Sequence, residues 1–151
     1  SAASDVYKRQ LADRVEKRER GGRVTWHVLD YKTGKVEGKD LRLKDDWEEK
    51  LADGQHDKAL QLLLYAAMLR ASHPEADRIR PSIRTGRKGD GDKSSLLTLS
   101  WQGESDLGPE HDRRLQTWLE GVVHVLRPHE HDVDIRHNTD SRYCADCLVL
   151  E

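Results

Sequence analysis

Trp26-His27-Val28-Leu29-Asp30-Tyr31-Lys32-Thr33-Gly34 is the stretch on which the reading of this chain turns. A β-type apolar pair, Val28 and Leu29, delivers a carboxylate and then, two residues on, an amine. Alternation along a strand puts Asp30 and Lys32 on one face. Thr33-Gly34 marks the turn that follows. A carboxylate can hold a divalent cation. An ammonium beside it can orient or deprotonate a water and steady charge developing on a phosphate. An exposed strand end carrying a solvated ion pair is the plainer reading of the same residues.

Upstream, residues 11–17 and 24–32 form two β-type runs around a loop containing Gly21-Gly22, which predicts a hairpin. Its first strand carries Asp13, and pairing across the ladder brings Asp13 near Asp30. Opposed carboxylates repel, and a divalent cation between them offsets that repulsion. The alternative is a surface aspartate paired with Arg14 or Lys32. Residues 1–10 read as a non-native or disordered segment, because Asp5-Val6-Tyr7-Lys8-Arg9-Gln10 looks like translated sequencing adapter. The domain is therefore expected to span 11–151, with its native N-terminal part missing.

Downstream, Leu41-Arg42-Leu43 is expected to form a short strand, and residues 45–53 a helical turn before Gly54. From Asp57 the pattern becomes helical, with an apolar stripe through Ala59, Leu60, Leu63, Leu64, Ala67 and Met68 that should stop before Pro74. Gln61 and Tyr65 lie four apart and share one side of this helix. Alone, they read as surface solvation and core packing. Residues 79–85 alternate, with Arg80, Ser82 and Arg84 on an expected exposed face and Pro81 arguing for an edge strand. Residues 95–101 are another strand candidate. Pro109 opens a second helix, its stripe running through Leu115, Trp118, Leu119, Val122, Val123 and Leu126, and Pro128 closes it. His129, His131, His137, Cys144 and Cys147 crowd the tail. A C-x-x-C pair without a second pair is a weak metal signal.

Composition bounds the class. The 151 residues are 36% charged and 35% hydrophobic with no Phe, which fits one thin-cored soluble domain. No apolar run approaches the roughly 20 residues of a membrane span. Two closely spaced Cys do not make a secreted disulfide scaffold, so an intracellular protein is expected. A formal net charge of −2 gives no global support for nucleic-acid binding, so any such surface must be local. Arg78, Arg80, Arg84, Arg87, Lys88 and Lys93 supply one local excess, readable as a phosphate track or as a solvated face.

Together these pieces resemble the PD-(D/E)xK nuclease superfamily, and within it the RecB/AddB-type exonuclease domain of bacterial helicase–nucleases. Ala12-Asp13-Arg14-Val15-Glu16 is similar to that family's Gly-x-x-Asp-Arg-x-Asp strand. Val28 to Gly34 is similar to its Asp-Tyr-Lys-Thr core, and Gln61 to Tyr65 to its Gln-x-x-x-Tyr helix motif. Residues 138–147 resemble its Cys-rich tail. The resemblance implies an α/β, restriction-endonuclease-like fold, a small mixed sheet flanked by helices. It implies Mg²⁺ or Mn²⁺ held by Asp13, Asp30 and the Tyr31 backbone carbonyl, with Lys32 activating water and Gln61 and Tyr65 bracing the site or touching DNA. The implied activity is metal-dependent exonucleolytic cleavage of DNA in double-strand break repair, in the bacterial cytoplasm. DNA and a helicase-like region of the full-length chain or complex are the implied partners.

Three departures stand out. The family's upstream helix has no counterpart. Ala12 and Glu16 replace Gly and Asp. Cys144 and Cys147 alone cannot hold the iron–sulfur cluster of some relatives unless further Cys lie outside this chain. The rival readings are a catalytically inactive DNA-binding or partner-docking module of the same fold, and a small zinc protein using the tail Cys and His.

Overall fold

Strand β1 (Arg14–Arg20) reverses into β2 (Arg23–Lys32) through a two-residue turn in a computed structural model that describes residues 12–86 and 96–126. The register pairs Arg20 with Arg23, so Gly21 and Gly22 alone make the turn. Their φ values of 59° and 75° suit a turn of the hand that matches strand twist, and L-residues with side chains adopt both poorly.

A 3₁₀ turn (Gly38–Leu41), strand β3 (Arg42–Leu43) and helix α1 (Trp47–Ala52) follow, and then helix α2 (Asp57–Ser72). The chain then runs through β4 (Ile79–Thr85), β5 (Leu96–Thr98), β6 (Ser100–Trp101) and helix α3 (Pro109–Leu126). Four strands form a mixed sheet in the order β1-β2-β4-β5. The β1–β2 and β4–β5 pairs are antiparallel, and β2–β4 is parallel. A parallel neighbour requires a crossover, and the segment containing α2 supplies it. Strands β3 and β6 form a separate parallel pair. This is the expected α/β architecture of a small mixed sheet flanked by helices.

Helix α2 packs on the sheet through Val28, Ala66, Ala76 and Ile79, with Trp26, Tyr65 and Leu69 at the margin. Val28 and Ile79 each contribute roughly 1.5–3 kcal/mol by burial, and the two alanine methyls less. Trp26 and Val28 therefore face α2, and alternation carries Asp30 and Lys32 to the same face. Leu41, Leu43, Leu99 and Trp101 are fully buried around the second sheet, where the Trp47 and Trp101 rings lie 4.8 Å apart.

The structure corrects three details of the sequence reading. The inward face of α2 is Ala59, Leu62, Leu63 and Ala66, whereas Met68 is exposed. The helix is apolar nearly all round, so periodicity did not single out one face. Strand β4 is interior, not an edge, and Pro81 and Ser82 are buried. The Pro81 carbonyl accepts from Leu99 N at 3.0 Å, so its missing N–H points to the same side, just where β5 has ended. Ser82 meets Thr98 hydroxyl to hydroxyl at 3.0 Å instead of facing solvent. Finally, residues 95–101 do not form one strand: Leu99 separates β5 from β6, which join different sheets.

The chain divides into two compact units, with the boundary at Leu115–Gln116 inside α3. The first holds both sheets, α1 and α2. In the second, the described part of α3 carries a Gln116–Glu120 hydrogen bond of 2.9 Å and exposes Val122, Val123 and Val125.

Candidate active site

Strand β2 sinks as it proceeds: Val28, Leu29 and Asp30 are all buried. The aliphatic pair needs no explanation, but a carboxylate that is 5% exposed does. Taking a charge out of water is costly unless a partner offsets it. The partner is Lys32, whose Nζ lies 2.9 Å from Asp30 Oδ2. Proximity and alignment differ here. The ammonium is within ion-pair distance, yet Oδ2 has no directed hydrogen bond among the described residues. The buried oxygen keeps lone pairs to offer.

Lys32 is held from a second side by α2. Its Nζ donates to Gln61 Oε1 at 2.9 Å, and Gln61 Nε2 donates to the Tyr65 hydroxyl at 2.8 Å. An ammonium has no acceptor, so it must face the amide oxygen, which sets the amide the right way round for Tyr65. The i, i+4 spacing on α2 makes the Gln61–Tyr65 link possible. One N–H of the ammonium goes to Gln61 and one faces Asp30. The third has no partner among the described residues.

Asp13 sits in the bend just before β1. The β1–β2 register pairs Arg14 with Leu29, so one step further sets Asp13 opposite Asp30. Its Oδ2 accepts from the Tyr31 backbone N–H at 2.6 Å, the peptide that links Asp30 to Tyr31. In a strand the N–H and C=O of one residue leave on the same side, so the Tyr31 carbonyl also points toward Asp13. The Tyr31 side chain takes the other face and is exposed. Asp13, Asp30, Lys32, Gln61 and Tyr65 are thus connected through direct contacts and one shared peptide.

This donor set suits a hard divalent cation. Two carboxylates and a carbonyl are oxygen ligands, and Mg²⁺ or Mn²⁺ needs few from protein because it keeps several waters. The unsatisfied Asp30 Oδ2 is the structural mark of that fit.

Other expectations fare differently. Cys144, Cys147, His129, His131 and His137 lie outside the described residues, as do Arg87, Lys88 and Lys93. Of the six cations expected to form a local positive excess, Arg78 and Arg80 are paired with carboxylates. Arg78 pairs with Glu110 at 2.9 Å, and Arg80 makes a two-pronged pair with Asp106 at 2.6 and 2.8 Å.

Sequence reasoning passed over two groups. Arg70, its side chain only 11% exposed, pairs with Asp112 at 2.6 Å and donates to the carbonyls of Ala76, Asp77 and Leu107. It ties α2 to the loop before β4 and to the start of α3. Glu104, Glu110 and His111 bring one ligand atom each within 4.8 Å of one another, a possible cation site by spacing. Their atoms already have uses. Glu110 faces His111 Nδ1 while Glu104 faces Nε2, and Nδ1 accepts the Gly108 N–H at 3.2 Å. One ion cannot bind both ring nitrogens. No sequence spacing signals either group: Arg70 meets its partners only when α2 is assembled with the loops before β4 and α3, and Glu104 meets Glu110 and His111 only when the loop after β6 is assembled with α3.

A family model described as the PD-(D/E)XK nuclease superfamily covers residues 11–151. No curated protein and no solved structure matches the chain.

Proposed function

From the premise that this chain belongs to the PD-(D/E)XK nuclease superfamily, whose members are generally metal-dependent nucleases, we propose that it hydrolyses DNA phosphodiester bonds. The reading extends to exonucleolytic action as the nuclease domain of a RecB/AddB-like helicase–nuclease in double-strand break repair. The order of Asp13-Arg14, Asp30-Tyr31-Lys32-Thr33 and Gln61…Tyr65 supports that finer assignment, with a bacterial cytoplasmic setting and a helicase-like partner region. Among the described residues, no helix is long and apolar enough to cross a membrane.

The observation that carries the proposal is the Lys32 ammonium, fixed between buried Asp30 and Gln61 beside the peptide that Asp13 grips. Asp13, Asp30 and the Tyr31 carbonyl would hold Mg²⁺ or Mn²⁺, which when bound supplies positive charge to a phosphate's nonbridging oxygens. Lys32 directs its remaining N–H at the attacking water or the phosphate, where an ammonium stabilises developing negative charge. Gln61 keeps that ammonium from swinging into solvent, and Tyr65 keeps Gln61 in place. Burial lowers the local dielectric response, so each charge acts more strongly than it would in water.

The test is degradation of linear DNA with Mg²⁺ or Mn²⁺ against a chelator control. Asp30→Ala and Lys32→Ala should each lower the rate by at least about 10²-fold, the lower end expected for a lost charge-stabilising group. Undiminished cleavage by both variants would end the assignment. Binding of DNA without cleavage by the unaltered chain would favour the inactive-module reading.

A further inference from the structure

We propose that the sheet face opposite the Asp30 site is a second nucleic-acid contact, a groove that grips the phosphate backbone away from the point of cleavage. Alternation and register define it. Arg23, Thr25 and His27 of β2 point away from α2. Arg18 and Arg20 stand opposite Thr25 and Arg23 across the hairpin, and Arg80 lies beside His27 on β4. These six side chains, together with Glu19 and Asp106, line a groove of about 570 Å³ that crosses three strands.

Charge accounting separates walls from contacts. Arg80 is held by Asp106, and Arg18 shares Glu16 with Arg14. Arg20 and Arg23 are exposed and have no carboxylate partner among the described residues. Residues 14–23 carry five cations (Arg14, Lys17, Arg18, Arg20, Arg23) against two carboxylates (Glu16, Glu19), in a chain whose net charge is −2. A local excess of positive charge thus sits toward the tip of the hairpin. Guanidinium forks suit phosphate oxygens, and the Thr25 hydroxyl adds a donor. Apart from the His27 imidazole no aromatic side chain lines the groove, and no aliphatic one does, so it offers little for base stacking and nothing for insertion into a lipid surface. The contact is therefore to the backbone and indifferent to sequence.

The hairpin also supplies a route. Strand β1 is an edge and is exposed almost throughout, so a polyanion can pass along it from one face to the other. From Arg23 to Asp30 is seven residues, roughly 23 Å along the strand. The groove thus meets substrate several nucleotides from the reacting phosphate. Burial chiefly, and Arg18 and Arg80 further, lower the pKa of His27, so it adds no charge near neutrality.

The inference rests on the nuclease reading for its ligand class but on none of the metal-site residues, and its test avoids cleavage. Binding of the 151-residue chain to a labelled 30-nucleotide duplex and single strand is measured in chelator across a salt series. Each lost phosphate contact lowers the slope of log K against log salt by about 0.9 for duplex or 0.7 for single strand. Arg20→Gln/Arg23→Gln should lower it by about 1.8 or 1.4, which is roughly 25- to 60-fold weaker binding at 0.1 M salt if affinities converge at 1 M. Both positions are exposed, so the melting temperature should hold. An unchanged slope in the double variant overturns the groove. So does a loss seen with phosphopeptides or phosphatidylserine vesicles and not with DNA. A lowered slope in a chain that never cleaves supports the groove while removing the nuclease reading.

Discussion

Substituting leucine for Gln61 isolates what the α2 relay does for Lys32. Leucine keeps the bulk and a good helix propensity, so α2 should persist. Two hydrogen bonds disappear, the one from Lys32 Nζ at 2.9 Å and the one to the Tyr65 hydroxyl at 2.8 Å. The first involves a charged group and is worth about 1.5–3 kcal/mol, and the second about 0.5–1.5. Little of this should appear as stability. The Lys32 side chain is 30% exposed and Gln61 is half-buried, so water replaces the lost partners. A loss of about 1 kcal/mol is expected. Turnover is different, because the ammonium must be in place as charge develops. Losing its second anchor should lower kcat by about 10- to 150-fold, the rate equivalent of 1.5–3 kcal/mol. The assay is steady-state cleavage at saturating DNA and Mg²⁺, read as a double-mutant cycle with Lys32→Ala. If Gln61 acts through Lys32, it should cost almost nothing further in the Lys32→Ala background. An equal loss in both backgrounds, or a change confined to KM, refutes the relay.

Three further outcomes are expected. At an ion concentration tenfold above its dissociation constant, Mg²⁺ or Mn²⁺ should stabilise the fold by about 1.4 kcal/mol, about 4 °C in melting temperature. Asp30→Asn should abolish that shift while His111→Gln preserves it; calorimetry giving the opposite pattern would move the ion to Glu104, Glu110 and His111. Arg70→Met strands Asp112 and three carbonyls, so chemical denaturation should show a loss of about 3 kcal/mol, with a wild-type-like midpoint counting against the clamp. Burial holds the His27 imidazole below its ordinary pKa. The unfolded chain therefore binds the extra proton first, and the contribution of His27 is complete above about pH 6.5 and lost as pH falls through the folded value. Melting scans from pH 7 to 5.5 should slope less in His27→Gln, and equal slopes would remove His27 as the cause.

The legible parts of this chain are those fixed by neighbours in sequence. Gly21-Gly22 between two alternating runs specified the hairpin, and the hairpin register carried Asp13 to Asp30. The i, i+4 step specified Gln61 against Tyr65. What the sequence hid depends on distant partners. Arg78 and Arg80 look like free cations until Glu110 and Asp106 arrive from 32 and 26 residues away. Pro81 reads as an edge residue because its missing donor is a local fact, whereas the end of β5 at Thr98 that makes it harmless is not. Arg70 looks like any charge in the last turn of a helix. Its value comes from three carbonyls and a carboxylate that only the assembled β4 and α3 present.

The energetics of Asp30 and Lys32 bear on why the site lies where it does. A buried ion pair is weak support for stability, since hydrophobic residues of similar volume would often serve as well or better. Here the pair is not even well aligned, and Oδ2 is left without a directed partner among the described residues. Stability alone gives no reason for such a group beside a second carboxylate at Asp13. The fold therefore carries a local cost and offsets it nearby, through the Val28–Ala66–Ile79 packing beneath the site and the Arg70 clamp at the far end of α2. A cation that binds the folded state alone would relieve that cost. The residues that make the apo site uncomfortable would then be the ones that favour a doubly charged ion, and removing Asp30 should cost the chain its response to metal far more than its ability to fold.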